Sequence, residues 1–195
     1  AITNIGHLAA INQFRVLLQT EISAVAGFDL HFLASWQISM APAPGGGASV
    51  GKGLGRNLVS SIKPDAAFTL RHCDGTTLLF FAEIDMATEP ISRRGKGSSL
   101  IGKIERYASY FDSGEYRGDG EQLFGHSFRG FRVLFITTKD SRLQQLREQI
   151  ARYGDTHFVW GSTFERVEAE RVLGPAWQVI VSDDNGAYRS IREPY

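Results

Sequence analysis

Apolar residues recur every three or four positions between His7 and Ala26, at Leu8, Ile11, Phe14, Leu18, Ile22 and Val25. That period predicts an amphipathic helix ending at Gly27. A second helical pattern, Leu100, Ile104, Tyr107 and Phe111, predicts a helix over 99–112, capped by Ser98 or Ser99 and closed near Gly114. Between the two, the run 30–40 with Phe32, Trp36 and Ile38 reads as a strand. The run 64–70 alternates, with Ala66, Phe68 and Leu70 on one face and Asp65, Ala67 and Thr69 on the other. Pro64 opens that strand, where no interior ladder donor is lost. In the run 78–85, Glu83 and Asp85 share a face with Leu79 and Phe81. The dense apolar run 131–137 predicts a buried central strand. Downstream, Leu143, Leu146 and Ile150 predict a helix over 142–153, followed by a strand at 157–163, a short helix at 164–173, a strand at 177–182, a turn at Asn185-Gly186 and an extended end. Residues 41–57 and 114–127 read as glycine-containing loops. Together these elements predict an α/β (α+β) fold: a mixed central sheet flanked by helices, one domain over 1–195 with 164–195 as a C-terminal extension.

Composition narrows the function classes. The chain has 195 residues, 43% hydrophobic and 22% charged, and no apolar run approaches the roughly 18 residues that a membrane-spanning helix needs, so no membrane association is expected. The single cysteine, Cys73, excludes an internal disulfide framework, fits a cytoplasmic location and reads as a loop residue. Because the chain begins at Ala1 without a methionine, sequence is expected upstream. Formal net charge is zero, so attraction for phosphate must be local; residues 90–110 carry Arg93, Arg94, Lys96, Lys103 and Arg106 against Glu105, a net charge of +4. Gly46 to Lys52 has the G-x-x-x-x-G-K spacing of a phosphate-binding loop, but Gly53 stands where Ser or Thr binds magnesium and no helical pattern follows, so the segment reads as a loop. The five histidines show no metal-ligand spacing, and no zinc site is expected.

The sharpest chemical signal is acidic. Asp65, Glu83 and Asp85 stand among apolar neighbours at the open end of a hairpin, where carboxylates cost stability unless a cation lies between them. Whether Asp65 meets Glu83 depends on the turn. A two-residue Asp74-Gly75 turn pairs Cys73 with Thr76 and sends the two acids to opposite faces. A three-residue turn, with Gly75 left-handed, pairs His72 with Thr76 and sets Asp65 opposite Glu83. Lys103 and Tyr107, at i and i+4, share one helix face. Glu21 borders the apolar face of the first helix and is a further candidate acid. The simpler readings are that Asp65 caps a turn after Pro64, that Glu83 and Asp85 pair with Arg93, Arg94 or Lys103, that Lys103 is solvated, that Tyr107 is a core residue with its hydroxyl at the rim, and that Thr88 and Glu89 only end the strand.

With Pro64-Asp65 opening one strand and Glu83-Ile-Asp85 closing the next, the order of elements resembles the PD-(D/E)xK nuclease superfamily. More narrowly, His7 to Leu18, Pro64 to Phe68, Phe81 to Glu89, Lys103 to Tyr107 and Phe131 to Thr137 look like the plasmid replication-relaxation family, over roughly residues 7–153. The resemblance implies a restriction-endonuclease-like fold and a metal-dependent DNA nuclease, or a nuclease-fold protein acting on DNA, in plasmid or mobile-element replication or transfer. It implies Mg2+ or Mn2+ held by Asp65, Glu83 and Asp85, with DNA as partner, other replication or conjugation proteins besides, and a winged-helix region upstream. Asp85 occupies the place where the superfamily carries its lysine, which leaves two repairs: Lys103 reaches the site from the helix, or Asp85 serves as an extra metal ligand; Tyr107 and the locally basic Arg93, Arg94 and Lys96 are the expected substrate-binding residues. The alternative is a non-catalytic DNA-binding or assembly module that retains the fold.

Overall fold

The computed structural model describes residues 5–40, 62–87, 91, 99–151, 156–180 and 187–192. Helix α1, Ile5–Ala24, leads into strand β1, Phe28–Ala34, and a short helix α2, Ser35–Met40. Strands β2, Ala66–His72, and β3, Thr77–Asp85, form a hairpin. Helices α3, Leu100–Ser113, and α4, Tyr116–Phe124, precede β4, Arg132–Thr137. The chain continues through α5, Asp140–Ile150, β5, Val159–Thr163, α6, Phe164–Glu170, β6, Trp177–Val179, and β7, Tyr188–Arg189.

All seven described strands join one sheet in sequence order. Pairing is antiparallel from β1 to β3, parallel from β3 through β5, and antiparallel again from β5 to β7. The architecture is therefore a mixed α/β one, a mostly antiparallel sheet flanked by helices. Alternation along the strands divides the core into two layers. Leu79, Phe81, Val133, Phe135 and Val159 pack beneath α3, α4 and α5, whereas Phe68, Phe80, Ala82 and Leu134 pack with Phe14 and Leu18 of α1. β4 is buried at every position, as the central place of a parallel segment requires.

Phe131, immediately before β4, organises the first layer. Its ring lies 5.1 Å from that of Phe81, 5.5 Å from Tyr110, 5.4 Å from Phe111, 5.3 Å from Tyr116 and 5.5 Å from Phe158, centroid to centroid. Edge-to-face and tilted contacts of this kind hold α3 and α4 against the sheet. Helix α3 starts where Ser99 accepts a hydrogen bond from Gly102 N at 3.1 Å. At the other end of this layer α5 lies close to β5, because Gly161 has no side chain: a Cβ there would meet Leu143 Cδ1 at 2.5 Å.

Three sequence expectations are corrected. The run 30–40 is not one strand; pairing stops at Ala34 opposite Ala66, since the partner strand has reached Pro64, which has no N–H, and the chain turns into α2 with Ala34 N donating to Gln37 at 2.9 Å. Residues 116–124, expected as loop, form α4, because its polar surface conceals buried Tyr116 and Phe124 and a buried Asp119 that accepts from the Tyr110 hydroxyl at 2.9 Å. Leu8, counted among the buried positions of α1, is 50% exposed, since Ala10, Phe14 and Leu18 set the contact line with the sheet. The loop 41–57 and the Asn185-Gly186 turn lie outside the described residues.

Replacing the hub tests this packing. Phe131→Ala is expected to cost about 3–5 kcal/mol of unfolding free energy, read from urea denaturation, whereas the same truncation at exposed Trp36, which is 65% accessible, leaves the midpoint within about 0.5 kcal/mol of the parent.

Candidate functional site

The hairpin turn decides where the acids go, and the three-residue form is the one observed. His72 N donates to Thr76 O at 2.8 Å, Gly75 N donates to His72 O at 2.9 Å, and Gly75 adopts φ +90°, a backbone region that glycine enters without steric cost. Ala66 then faces Ala82, which brings Asp65 beside Glu83. Asp65 N donates to Ala82 O at 3.1 Å, and its own carboxylate accepts from Ile84 N at 2.8 Å. The side chain thus supplies the ladder acceptor that the chain loses as it bends away at Pro64. Cys73 is exposed in the turn, with the His72 imidazole Nε2 3.7 Å from its sulfur.

Glu83 and Asp85 sit at the C-terminal end of β3, 1% and 4% exposed. Each is matched by a cation from a different helix. Lys103 of α3 donates from Nζ to Glu83 Oε2 at 2.8 Å, and the Tyr107 hydroxyl one turn later donates to Oε1 at 2.8 Å. Arg142, in the first turn of α5, grips Asp85 through Nε at 2.6 Å and Nη2 at 3.3 Å, while Ala87 N donates to Asp85 Oδ1 at 3.0 Å. His7, near the start of α1, donates from Nε2 to Asp65 Oδ1 at 3.0 Å. A cavity of about 120 Å³ is lined by His7, Asp65, Glu83, Asp85 and Lys103 together with Ile84, Met86 and Leu100. Its chemistry, rather than its size, singles it out.

Burial pushes the Glu83 carboxyl up to about 7 from an ordinary 4.5; the Lys103 charge opposes that rise, and the nearby Asp65 charge adds to it. The Tyr107 hydroxyl, buried and facing Glu83, is held well above the usual tyrosine range. It therefore remains a donor at any working pH.

Asp65, Glu83, Asp85 and Lys103, expected from the sequence, thus converge on one cavity. Tyr107 is fully buried with its hydroxyl directed at Glu83. Arg93, Arg94, Lys96, Thr88 and Glu89 lie outside the described residues. Glu21 stands elsewhere, accepting from Leu173 N at 3.1 Å. His7 and Arg142 were missed. Arg142 had a legible signal: parallel β3 and β4 end on the same edge, so the helix that follows β4 begins beside Asp85. His7 had none, since its position depends on how α1 crosses the other face.

Oxygen donors are what a small, hard dication requires, and magnesium commonly uses only one or two carboxylates plus water and phosphate. Asp65 and Glu83 fit that pattern, both lining the cavity. Asp85 lines the cavity too; both of its oxygens are engaged by Arg142 and Ala87, as those of Glu83 are by Lys103 and Tyr107 and those of Asp65 by His7 and Ile84 N, so a cation at any of the three would share or displace those hydrogen bonds. Among the described residues no three His, Cys, Asp or Glu side chains are grouped to hold a metal ion by themselves.

A family profile described as replication-relaxation matches residues 2–122, more than half of the chain. The match spans His7, Asp65, Glu83, Asp85, Lys103 and Tyr107 and stops short of Arg142. No curated protein and no solved structure matches. No described helix is long and apolar enough to cross a membrane.

The raised Glu83 carboxyl makes a signed prediction. In the unfolded chain it ionises near 4.5, whereas in the fold it keeps its proton to about 7. The folded state binds the extra proton, so this contribution to stability is full below 4.5 and is lost as pH rises to 7, on the order of 3 kcal/mol in total. Urea midpoints compared between the parent and Glu83→Gln should show the parent losing stability relative to the variant across that window. Parallel pH profiles would contradict the assignment.

Proposed function

The chain belongs to the replication-relaxation family, and from that premise we propose that it is a nuclease-fold DNA-processing protein of plasmid or mobile-element replication, with the Asp65–Glu83–Lys103 cavity as its metal-dependent phosphodiester-cleaving site. The observation that carries this reading is the contact of Lys103 Nζ with Glu83 Oε2 at 2.8 Å, in a cavity that Asp65 also lines. The strand position that holds aspartate in this chain is a lysine in the PD-(D/E)xK superfamily, and Lys103 brings an ammonium to the same carboxylate from a helix.

Asp65 and Glu83 would hold Mg2+ or Mn2+, and a bound dication supplies charge for a scissile phosphate and acidifies a coordinated water. The residues of the chain do the rest. Lys103 presents a cation to the charge that develops on the phosphate oxygens. Tyr107 fixes the Glu83 carboxylate by its second oxygen, and His7 with Ile84 N fixes Asp65. Arg142 neutralises Asp85, so a third negative charge does not face an incoming phosphate.

A second reading has its own support. Every acid of the cluster already has a cationic or histidine partner, and a site balanced in this way also suits a DNA-binding module without turnover.

Incubation with supercoiled and linear DNA in Mg2+ or Mn2+ separates the two. The catalytic reading expects nicked or shortened products, with Asp65→Ala, Glu83→Ala and Lys103→Ala each at least about 100-fold slower. Lys103→Ala should stay folded at pH 6, where Glu83 can remain protonated once its cation is gone. DNA binding without cleavage by the parent protein would favour the module, and full cleavage by Lys103→Ala would remove Lys103 from the catalytic role.

A further inference from the structure

On the other flank of α5 from Asp85 lies a second polar cavity, of about 340 Å³, with Arg147 and Arg166 in its wall. Neither arginine is paired with a carboxylate among the described residues. Arg147 donates from Nη1 to Gln178 Oε1 at 3.1 Å. The Arg166 guanidinium lies over the Tyr188 ring, with Cζ 3.9 Å from the centroid, and its buried Nε has no hydrogen-bond partner. Stacking uses the face of a guanidinium and leaves its in-plane donors directed outward. Ser141 and Gln144 of α5 complete the rim. Asp140 also lines the cavity, so its side chains carry two positive charges against one negative.

Two arginines with terminal guanidinium donors to spare in one cavity wall call for a multivalent oxyanion, in which the Arg166 Nε, shut off from solvent, takes no part. A phosphate group meets that demand, because it accepts several N–H bonds at once. Arg142 and Arg147 are five residues apart on α5, which places them on opposite sides of the helix and about 7.5 Å apart along its axis. The sheet order β3-β4-β5-β6 separates Asp85 from Gln178 by three strand spacings, or about 14 Å. One nucleic acid can span both cavities.

We propose that the Arg147–Arg166 cavity is a phosphate subsite that grips the phosphodiester backbone of DNA a few nucleotides from the carboxylate cavity. The phosphate chemistry stands on these residues alone; the choice of DNA as its source rests on the proposed function.

Binding is measured in EDTA, so that cleavage plays no part, by anisotropy of a labelled duplex across a salt series. Two variants are used: Arg147→Gln/Arg166→Gln, and Ser141→Asp, which places a negative charge at the exposed rim and favours the first turn of α5. The double variant should bind roughly 10- to 100-fold more weakly at low salt, and its slope of log affinity against log salt should be shallower by about 1.8. Ser141→Asp should weaken binding while raising or preserving Tm, which excludes misfolding as the cause. Inorganic phosphate, titrated by calorimetry, should bind the parent protein and not the double variant. Unchanged affinity and slope in both variants would overturn the proposal. Arginine-dependent binding of inorganic phosphate with an unchanged DNA slope would overturn the backbone assignment. Cleavage that depends on Glu83 with an unaltered slope in the arginine variant would sink this subsite and leave the nuclease reading standing. An altered slope in a chain that never cleaves would do the reverse.

Discussion

A buried carboxyl group must either be answered by a cation or keep its proton, and β3 ends on two of them. Glu83 and Asp85 are almost wholly removed from water, at a cost that apolar packing cannot offset. Lys103 and Arg142 supply the answering charges from two helices that lie on one face of the sheet. The acids therefore constrain more than their own surroundings. They fix which turn of α3 and which end of α5 must face the end of β3. The aromatic cluster around Phe131 and the close approach at Gly161 make those placements possible. The same arrangement that satisfies the buried charges also concentrates them around one cavity.

The sheet explains why the cavity forms at this edge. Antiparallel pairing with β2 brings Asp65 to the end of β3, and parallel pairing with β4 brings the start of α5 there as well. A change from antiparallel to parallel pairing thus gathers residues from α1, β2, β3, α3 and α5 at one place. The site is built from segments remote in sequence, held by a rigid sheet. Asp85 acts as the anchor for α5, and Arg147 and Arg166 lie beyond that helix on its far side.

Much of this was legible in the sequence, for identifiable reasons. Period-two alternation sorted Phe68 from Ala67 and Phe81 from Phe80 onto the correct faces, because both sides of the sheet are covered and a one-residue slip would be costly. The turn reading narrowed the register to two alternatives, of which Gly75 adopts the one that unites Asp65 with Glu83. Lys103 and Tyr107 were legible as an i, i+4 pair. Helix α4 was not, since its burial rests on two aromatics and a hydrogen-bonded aspartate rather than an apolar stripe. His7 and the Arg166–Tyr188 stack were equally hidden, because they depend on how distant elements cross. The family match covers residues 2–122, so for residues 123–195 pattern and packing carry the account.

The central claim is that Glu83 and Lys103 form one coupled, desolvated pair on which the geometry of the cavity depends. A double-mutant cycle of Glu83→Gln, Lys103→Met and the two combined, followed by urea denaturation at pH 8, measures that coupling directly. The predicted result is a single Lys103→Met loss of roughly 3–5 kcal/mol and a double variant more stable than the summed single losses by at least about 2 kcal/mol. Losses that simply add would mean that the two side chains do not share a buried interaction, and would contradict the account.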